Sequence, residues 1–303
     1  MPCIPPCIPP CIDVEIADAR LDAFRSVRDR DLRGTLGLHA VESERVVRRF
    51  LVAAVRRGSQ PMPPRLEPLA LLATTPSIER LADVIVEAIA MFPALVIYRC
   101  ANEQALHTIT GYTMHSGAIA LGRRHGDGSI SELAACLARG EQPMREVLVA
   151  LDGVTQTDNV GAIFRNAASF GARGVLLSPR TSDPLLRKAL RVSMGRAVNV
   201  PFARAREDEW PSCLERLRSE RGYRILAAED TPSAVNLTTI QPAAKTIVIF
   251  GAEQDGVSRA VLDLADAVVR IPMSDHATAL ADDPPSLNVS IASAVILHGL
   301  MAD

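Results

Sequence analysis

The second half of this 303-residue chain alternates short apolar, β-rich runs with helix-periodic segments, and that alternation restricts the fold more than any other feature. The runs lie at 147–151, 174–177, 198–202, 224–228, 247–250 and 268–271, with helical patterns at 159–170, 184–194, 208–221, 258–265 and 287–301. A helix between two strands returns the chain to the same end of the sheet, so neighbouring strands run parallel. Parallel sheets are buried on both faces, which the continuous apolar runs match. The sequence therefore predicts an α/β fold with a C-terminal parallel sheet over 145–303.

Residues 14–124 read as a smaller N-terminal α/β domain. Val46, Val47, Phe50, Leu51 and Ala54 mark one face of a helix. The span 20–33 is charged and helix-prone, Pro61, Pro63, Pro64 and Pro68 mark a loop, and 69–73 and 94–98 read as strands around a helix opening at Ser77. Residues 125–144, a weak helix between loop-like flanks, are expected to be a linker. In the leader, 1–13, the Cys-Ile-Pro-Pro repeat from Cys3 to Cys11 cannot be helical, because proline lacks the N–H and restricts its predecessor. It is expected to be flexible, and it lacks the paired cysteine and histidine spacing of a metal site. Cys100, Cys136 and Cys213 read as small buried hydrophobes.

An apolar content of 48% with 22% charged residues is that of a globular protein, and no apolar run reaches membrane-spanning length. With no secretion signal recognised, a reducing, cytoplasmic setting is expected. A net charge of −2 gives no whole-chain attraction to nucleic acid, so any RNA surface has to be local. All but two of the 33 basic residues are arginine, the residue that forks onto phosphate, though codon bias in an Ala/Arg-rich genome is the preferred reading. Arg180, Arg187, Lys188, Arg191, Arg196, Arg204 and Arg206, against Asp183 alone, form a candidate phosphate-binding edge or a plain solvated face.

Chemistry concentrates in three short segments. In Asp158-Asn159-Val160-Gly161-Ala162-Ile163-Phe164-Arg165-Asn166-Ala167-Ala168 the apolar stripe leaves Arg165 pointing out of the core. Asn159 lies at the helix start, where an Asn ordinarily caps exposed N–H groups. In Phe250-Gly251-Ala252-Glu253-Gln254-Asp255-Gly256, Gly251 lets the chain turn sharply and a ligand approach the backbone, with Glu253 at the mouth of the sheet. No G-x-G-x-x-G follows the first strand of this half, which counts against a dinucleotide site. In Ser286-Leu287-Asn288-Val289-Ser290, Ser286 is the expected helix cap. The helix that follows is apolar nearly all round and needs a core or a dimer interface, to which His298 would belong.

In this order and spacing the segments closely resemble the motifs of the SpoU/TrmH class of SPOUT RNA 2′-O-methyltransferases. The first, N-x-G-x-x-x-R-x-A, matches through Asn159, Gly161, Arg165 and Ala167. The second, G-x-E-x-x-G, matches through Gly251, Glu253 and Gly256, and the third through Ser286, Leu287 and Asn288. The resemblance implies a trefoil knot, S-adenosylmethionine as cofactor without a metal, and methylation of a ribose 2′-hydroxyl in tRNA or rRNA. It implies catalytic roles for Asn159, Arg165, Glu253, Ser286 and Asn288, and a cofactor site walled by Ala228, Gly251, Ile271 and Leu287. It also implies a homodimer through the C-terminal domain, each active site drawing on both subunits.

More loosely, Leu38-His39-Ala40-Val41-Glu42, Ile109-Thr110-Gly111 and His115-Ser116-Gly117-Ala118-Ile119-Ala120 resemble the ribosomal-protein-like, RNA-binding domain that precedes many such enzymes, with Ser43 where glycine is common. Arg165 is often given the role of base in the class, but a guanidinium stays protonated, so an electrostatic role is expected. Glu253 is expected to orient Arg165 or to serve the same network. The long stretch 274–285, with Asp275, Asp282 and Asp283, reads as a lid over the cofactor, a restriction on RNA or a plain loop extension. Alternatives are a non-catalytic RNA-binding SPOUT-like protein and an unrelated nucleotide-dependent α/β enzyme.

Overall fold

The computed structural model describes residues 9–25, 37–58, 65–114, 116–139, 143–274 and 286–301. The chain forms two compact units, Met1–Gly126 with Leu185–Asn199, and Asp127–Pro184 with Val200–Asp303.

In the first unit, strands β1 (Ile12–Asp13), β2 (Leu38–Glu42), β3 (Leu66–Thr74), β4 (Val96–Cys100) and β5 (Ala118–Arg124) make a mixed sheet in the order β1-β4-β3-β5-β2. Helix α1 (Glu44–Gly58) buries the expected stripe, with Val46, Val47, Phe50, Leu51 and Ala54 all at most 1% exposed. Helix α2 (Thr75–Met91) follows β3, and α3 (Glu103–Thr110) ends at Gly111 in the left-handed region. Burial raises the Cys100 thiol to about 11, so it stays a protonated core hydrophobe.

Three expectations change here. The leader does not stay free through residue 13, because Ile12 and Asp13 add an edge strand to β4 and Asp13 pairs with Arg99 at 2.5 Å. The helix expected over 20–33 begins as a 3-10 turn at Ala19–Phe24, and 26–36 lie outside the described residues. The span 185–199, expected to belong to the C-terminal domain, packs in this unit. Its helix α6 (Arg187–Val192) lies against β2, where buried Glu42 accepts from Arg187 at 2.8 Å, Arg191 at 3.4 Å and the Tyr112 hydroxyl at 2.9 Å. Arg49 and His39 bond the carbonyls of Met194 and Leu185.

The second unit is a seven-stranded sheet, all neighbours parallel, in the order β10-β12-β9-β11-β6-β7-β8. Its strands are β6 (Glu146–Asp152), β7 (Gly174–Leu177), β8 (Phe202–Arg204), β9 (Arg224–Ala228), β10 (Val235–Asn236), β11 (Lys245–Gly251) and β12 (Ala267–Arg270). The helices are α4 (Ile130–Arg139), α5 (Thr157–Phe170), α7 (Ser212–Arg221), α8 (Arg259–Leu264) and α9 (Val289–Met301). The parallel sheet agrees with the expectation, and the central runs of β6 and β11 are buried on both faces.

Differences have local causes. The supposed linker contains α4, whose Ile130, Leu133 and Leu137 are buried, so 127–139 is part of this unit. The run at 198–202 is strand only from Phe202, because Arg196–Val198 turn as a 3-10 segment and Pro201 has no N–H for a ladder. The helix expected from 208 starts at Ser212, since Pro211 cannot sit in a helix interior.

Chain order fixes where a site can form. Strand β11 inserts between β6 and β9, and β12 between β9 and β10, which were laid down earlier. The C-terminal ends of β6, β9, β11 and β12 thus come side by side, with Gly251 level with Asp152 and Phe250 with Ala228. Ligand crevices form at such strand ends, where the order reverses.

Candidate active site

At those strand ends an open cleft of about 600 Å³ is walled by Ala228, Gly251, Ile271 and Leu287, together with Glu229 and Ile296. The four expected cofactor-wall residues therefore share one cavity. Glu253, Ser286 and Asn288 line it too.

Gly251 is required for a different reason from the one its sequence suggests. The loop after it folds back on itself, with Ala252 and Gly256 exchanging backbone hydrogen bonds of 3.1 and 2.9 Å. A Cβ on Gly251 would lie 2.1 Å from the Gly256 carbonyl carbon. The close approach is the loop's own backbone. Gly256 has φ +66°, and a Cβ there would strike the Glu229 carboxylate at 2.3 Å. Glu229 in turn accepts the Val257 N–H at 2.8 Å. Asp152, at the end of β6, accepts from Ser258 N at 2.8 Å and from the Trp210 indole at 2.9 Å. Two buried or half-buried carboxylates thus hold the exit of this loop.

Glu253 projects from the loop into a set of amides. Its Oε1 accepts from Asn159 Nδ2 at 2.7 Å and Asn288 Nδ2 at 2.5 Å, while its Oε2 accepts from Gln156 Nε2. Asn288 Nδ2 also approaches Asn159 Oδ1 at 3.2 Å. Asn159 is buried in the first turn of α5, and its side chain crosses to Glu253 instead of capping its own helix. Capping of α9 falls to Asn288, immediately before its first residue, whose Oδ1 accepts from Ser290 N at 2.9 Å, so Ser286 is not the cap.

Not every expected residue joins this network. Ser286 lies on the cleft wall without a bond to Glu253. Arg165 is exposed and, among the described residues, makes no hydrogen bond or ion pair with Glu253, Asn159 or Asn288. Six positions past Asn159 on an α-helix, it faces elsewhere. Of the two roles expected for Glu253, orienting Arg165 is not observed and membership of the amide network is. Gln156 was missed. It precedes the motif, and nothing in local periodicity marks it.

Helix α9 buries Ser293, Ile296, Leu297 and Leu300 and is tied to α5 by Asn166, which donates to Ser290 O at 2.7 Å and Ser293 Oγ at 2.8 Å. Its other face shows Ile291 at 54% and Val295 at 39% exposure, continued by Leu287 at 40%. His298 is exposed and edge-on to Phe170, outside the core. The stretch 275–285, with Asp275, Asp282 and Asp283, lies outside the described residues.

The candidate phosphate edge breaks up. Arg187 and Arg191 pair with Glu42, Arg204 with Asp127 at 2.6 Å and Arg206 with Asp208 at 3.1 Å. Arg180 stays exposed.

The SpoU rRNA methylase family matches residues 146–298. An uncharacterized tRNA/rRNA methyltransferase of Mycobacterium tuberculosis is 33% identical over 93% of this chain and 88% of its own. The chain belongs to the SpoU methylase family. Among solved structures, the AdoMet-bound rRNA methyltransferase of Sinorhizobium meliloti superposes with TM-score 0.71 at 22% identity, covering 96% of this chain and 97% of the other. The SpoU methyltransferase AviRb of Streptomyces viridochromogenes does so with TM-score 0.66 at 22% identity, covering 94% and 96%. The likeness to both is one of fold over nearly the whole chain. The family match spans both the cleft and the Glu253 network.

Proposed function

We propose that this protein is an S-adenosylmethionine-dependent methyltransferase acting on a ribose 2′-hydroxyl of tRNA or rRNA. The observation that carries the reading is the convergence of Asn159, Glu253 and Asn288 beside the cleft, on a chain of the SpoU methylase family. Its mycobacterial relative is named a tRNA/rRNA methyltransferase, and its Sinorhizobium meliloti structural neighbour is AdoMet-bound.

The cleft fits the cofactor. Its volume suits a nucleoside joined to an amino acid, Ala228, Ile271 and Leu287 offer apolar walls, and the folded loop 251–256 presents backbone polar groups. Bound there, S-adenosylmethionine supplies an electrophilic methyl group on a sulfonium. The chain's residues do the rest. The amides of Asn159 and Asn288, locked on Glu253, fix the edge of the cleft where a ribose has to lie, and orientation is a large part of such a rate enhancement. A guanidinium is no general base, so Arg165 is read as stabilising the negative charge that develops on the ribose oxygen as the hydroxyl passes its proton to solvent water.

The second unit is read as knotted through its late-inserted strands β11 and β12, and as dimeric through the apolar face of α9. Among the described residues Arg165 makes no bond to Glu253, Asn159 or Asn288, and a dimer would bring it beside those groups of a second copy. The first unit is read as the RNA-holding domain. The test is incubation with labelled S-adenosylmethionine and total tRNA and rRNA, followed by mapping of 2′-O-methyl positions. Label confined to bases, or no transfer to either RNA pool, would refute the reading.

A further inference from the structure

Gln156 occupies the N-cap position of α5 but makes no side-chain cap bond. Ser, Thr, Asp or Asn would cap the helix there, and Gln is a poor substitute. The side chain reaches instead to a residue 97 positions away, donating from Nε2 to Glu253 Oε2, while its Oε1 faces Asn159 Nδ2 at 3.5 Å. A departure from the local rule at a helix start, with the side chain turned into a site, is where function competes with stability.

We infer that Gln156 is a positioning residue that fixes the carboxylate plane of Glu253, an inference that rests on the proposed methyltransferase reading. The terminal torsion of a glutamate is broad and roughly two-fold, so a carboxylate held through one oxygen still swings and exchanges its oxygens. Glu253 is exposed, and both amides from the motif residues fall on Oε1. Among the described residues, the Gln156 bond is the one that engages Oε2. With both oxygens held, Oε1 stays directed at Asn159 and Asn288, and those amides keep one orientation before substrate arrives. Preorganisation of this kind acts on turnover more than on binding.

Steady-state kinetics with Gln156→Ala and Gln156→Glu test the role. For Gln156→Ala we expect kcat to fall about tenfold with KM for RNA and cofactor within about twofold. For Gln156→Glu, which sets carboxylate against carboxylate, we expect a fall of about a hundredfold. Melting temperatures should stay within about 2 °C of wild type, since a surface cap residue changes little. Hydrogen exchange of the 252–257 amides should quicken several-fold in both variants. Wild-type kcat in Gln156→Ala, a loss confined to KM, or a loss matched by a large drop in melting temperature would each overturn the role. If the wild-type chain transfers no methyl group, the functional reading fails, and the exchange measurement alone decides. Unchanged protection of 252–257 in Gln156→Ala then refutes the positioning of Glu253.

Discussion

The side-chain amide of Asn159 donates to the carboxylate of Glu253 at 2.7 Å although the two lie 94 positions apart. Helix α5 and the loop after β11 meet there because β11 pairs with β6 along its whole length. Asn159→Asp would turn that donor into a second carboxylate. Methyl transfer should fall by about a hundredfold or more, the scale of losing one preorganised donor, while calorimetry should find cofactor affinity little changed. Retained turnover would remove the network from the mechanism.

Arg165 does not line the cleft, so if it carries the proposed electrostatic role, Arg165→Ala should bind S-adenosylmethionine normally and lose nearly all methyl transfer. A mixture of Arg165→Ala and Asn159→Asp chains tests sharing between subunits. If each site takes Arg165 from one copy and Asn159 from the other, random reassociation restores about a quarter of wild-type activity. No restoration would place the whole site within one chain.

Gly251 admits no side chain, since a Cβ would lie 2.1 Å from Gly256 C and 2.2 Å from Val257 N. Gly251→Ala should cost about 2 kcal/mol, as overpacking does. In a unit of this size that is a drop of about 5 °C in melting temperature. Cofactor binding should be lost with it. Differential scanning calorimetry and cofactor titration on one preparation check both effects.

Glu42 is 8% exposed and takes its cations from Arg187 and Arg191, which arrive with the segment 185–199. Leaving either partner of a buried pair alone is destabilising, so Glu42→Ala should cost about 3 kcal/mol in urea unfolding. A fragment ending at residue 126 should unfold at lower urea than the first unit of the whole chain. A peptide spanning 185–199, added in trans, should recover part of the difference. Equal midpoints for fragment and whole chain would refute the docking.

The Arg80 guanidinium, and to a lesser degree the Ser77 hydroxyl, hold the Glu44 carboxyl below the ordinary glutamate value against partial desolvation. A depressed carboxyl contributes stability that is fully present above its unfolded value and lost as pH falls through its folded one. The loss belongs below about pH 4.3, the unperturbed glutamate value. Glu44→Gln should be less stable than wild type at pH 7, and the two should converge on acidification below pH 4. Parallel stability curves would show that Glu44 gains nothing from its ionised form.

The sequence by itself determined what depends on neighbours along the chain. The period of Val46, Val47, Phe50, Leu51 and Ala54 gave α1 its buried face, and the alternation after residue 145 gave a parallel sheet, because burial on both faces demands unbroken apolar strands. The motif residues were legible, and Ala228, Gly251, Ile271 and Leu287 do line one cleft. Tertiary structure decided whatever depends on contacts between distant positions. Short local runs carry no record of strand order, so the insertion of β11 between β6 and β9, which builds the site, left no periodic trace. Asn159 gives up the capping role that statistics suggest because its amide is taken by a carboxylate from another segment, whereas Asn288 caps in place of Ser286 and still reaches that carboxylate. Gln156 looked like a turn residue until Glu253 stood beside it. The run of arginines looked like a phosphate edge until Glu42, Asp127 and Asp208 took up their charges, since ion pairing is set by proximity in space, which composition does not encode.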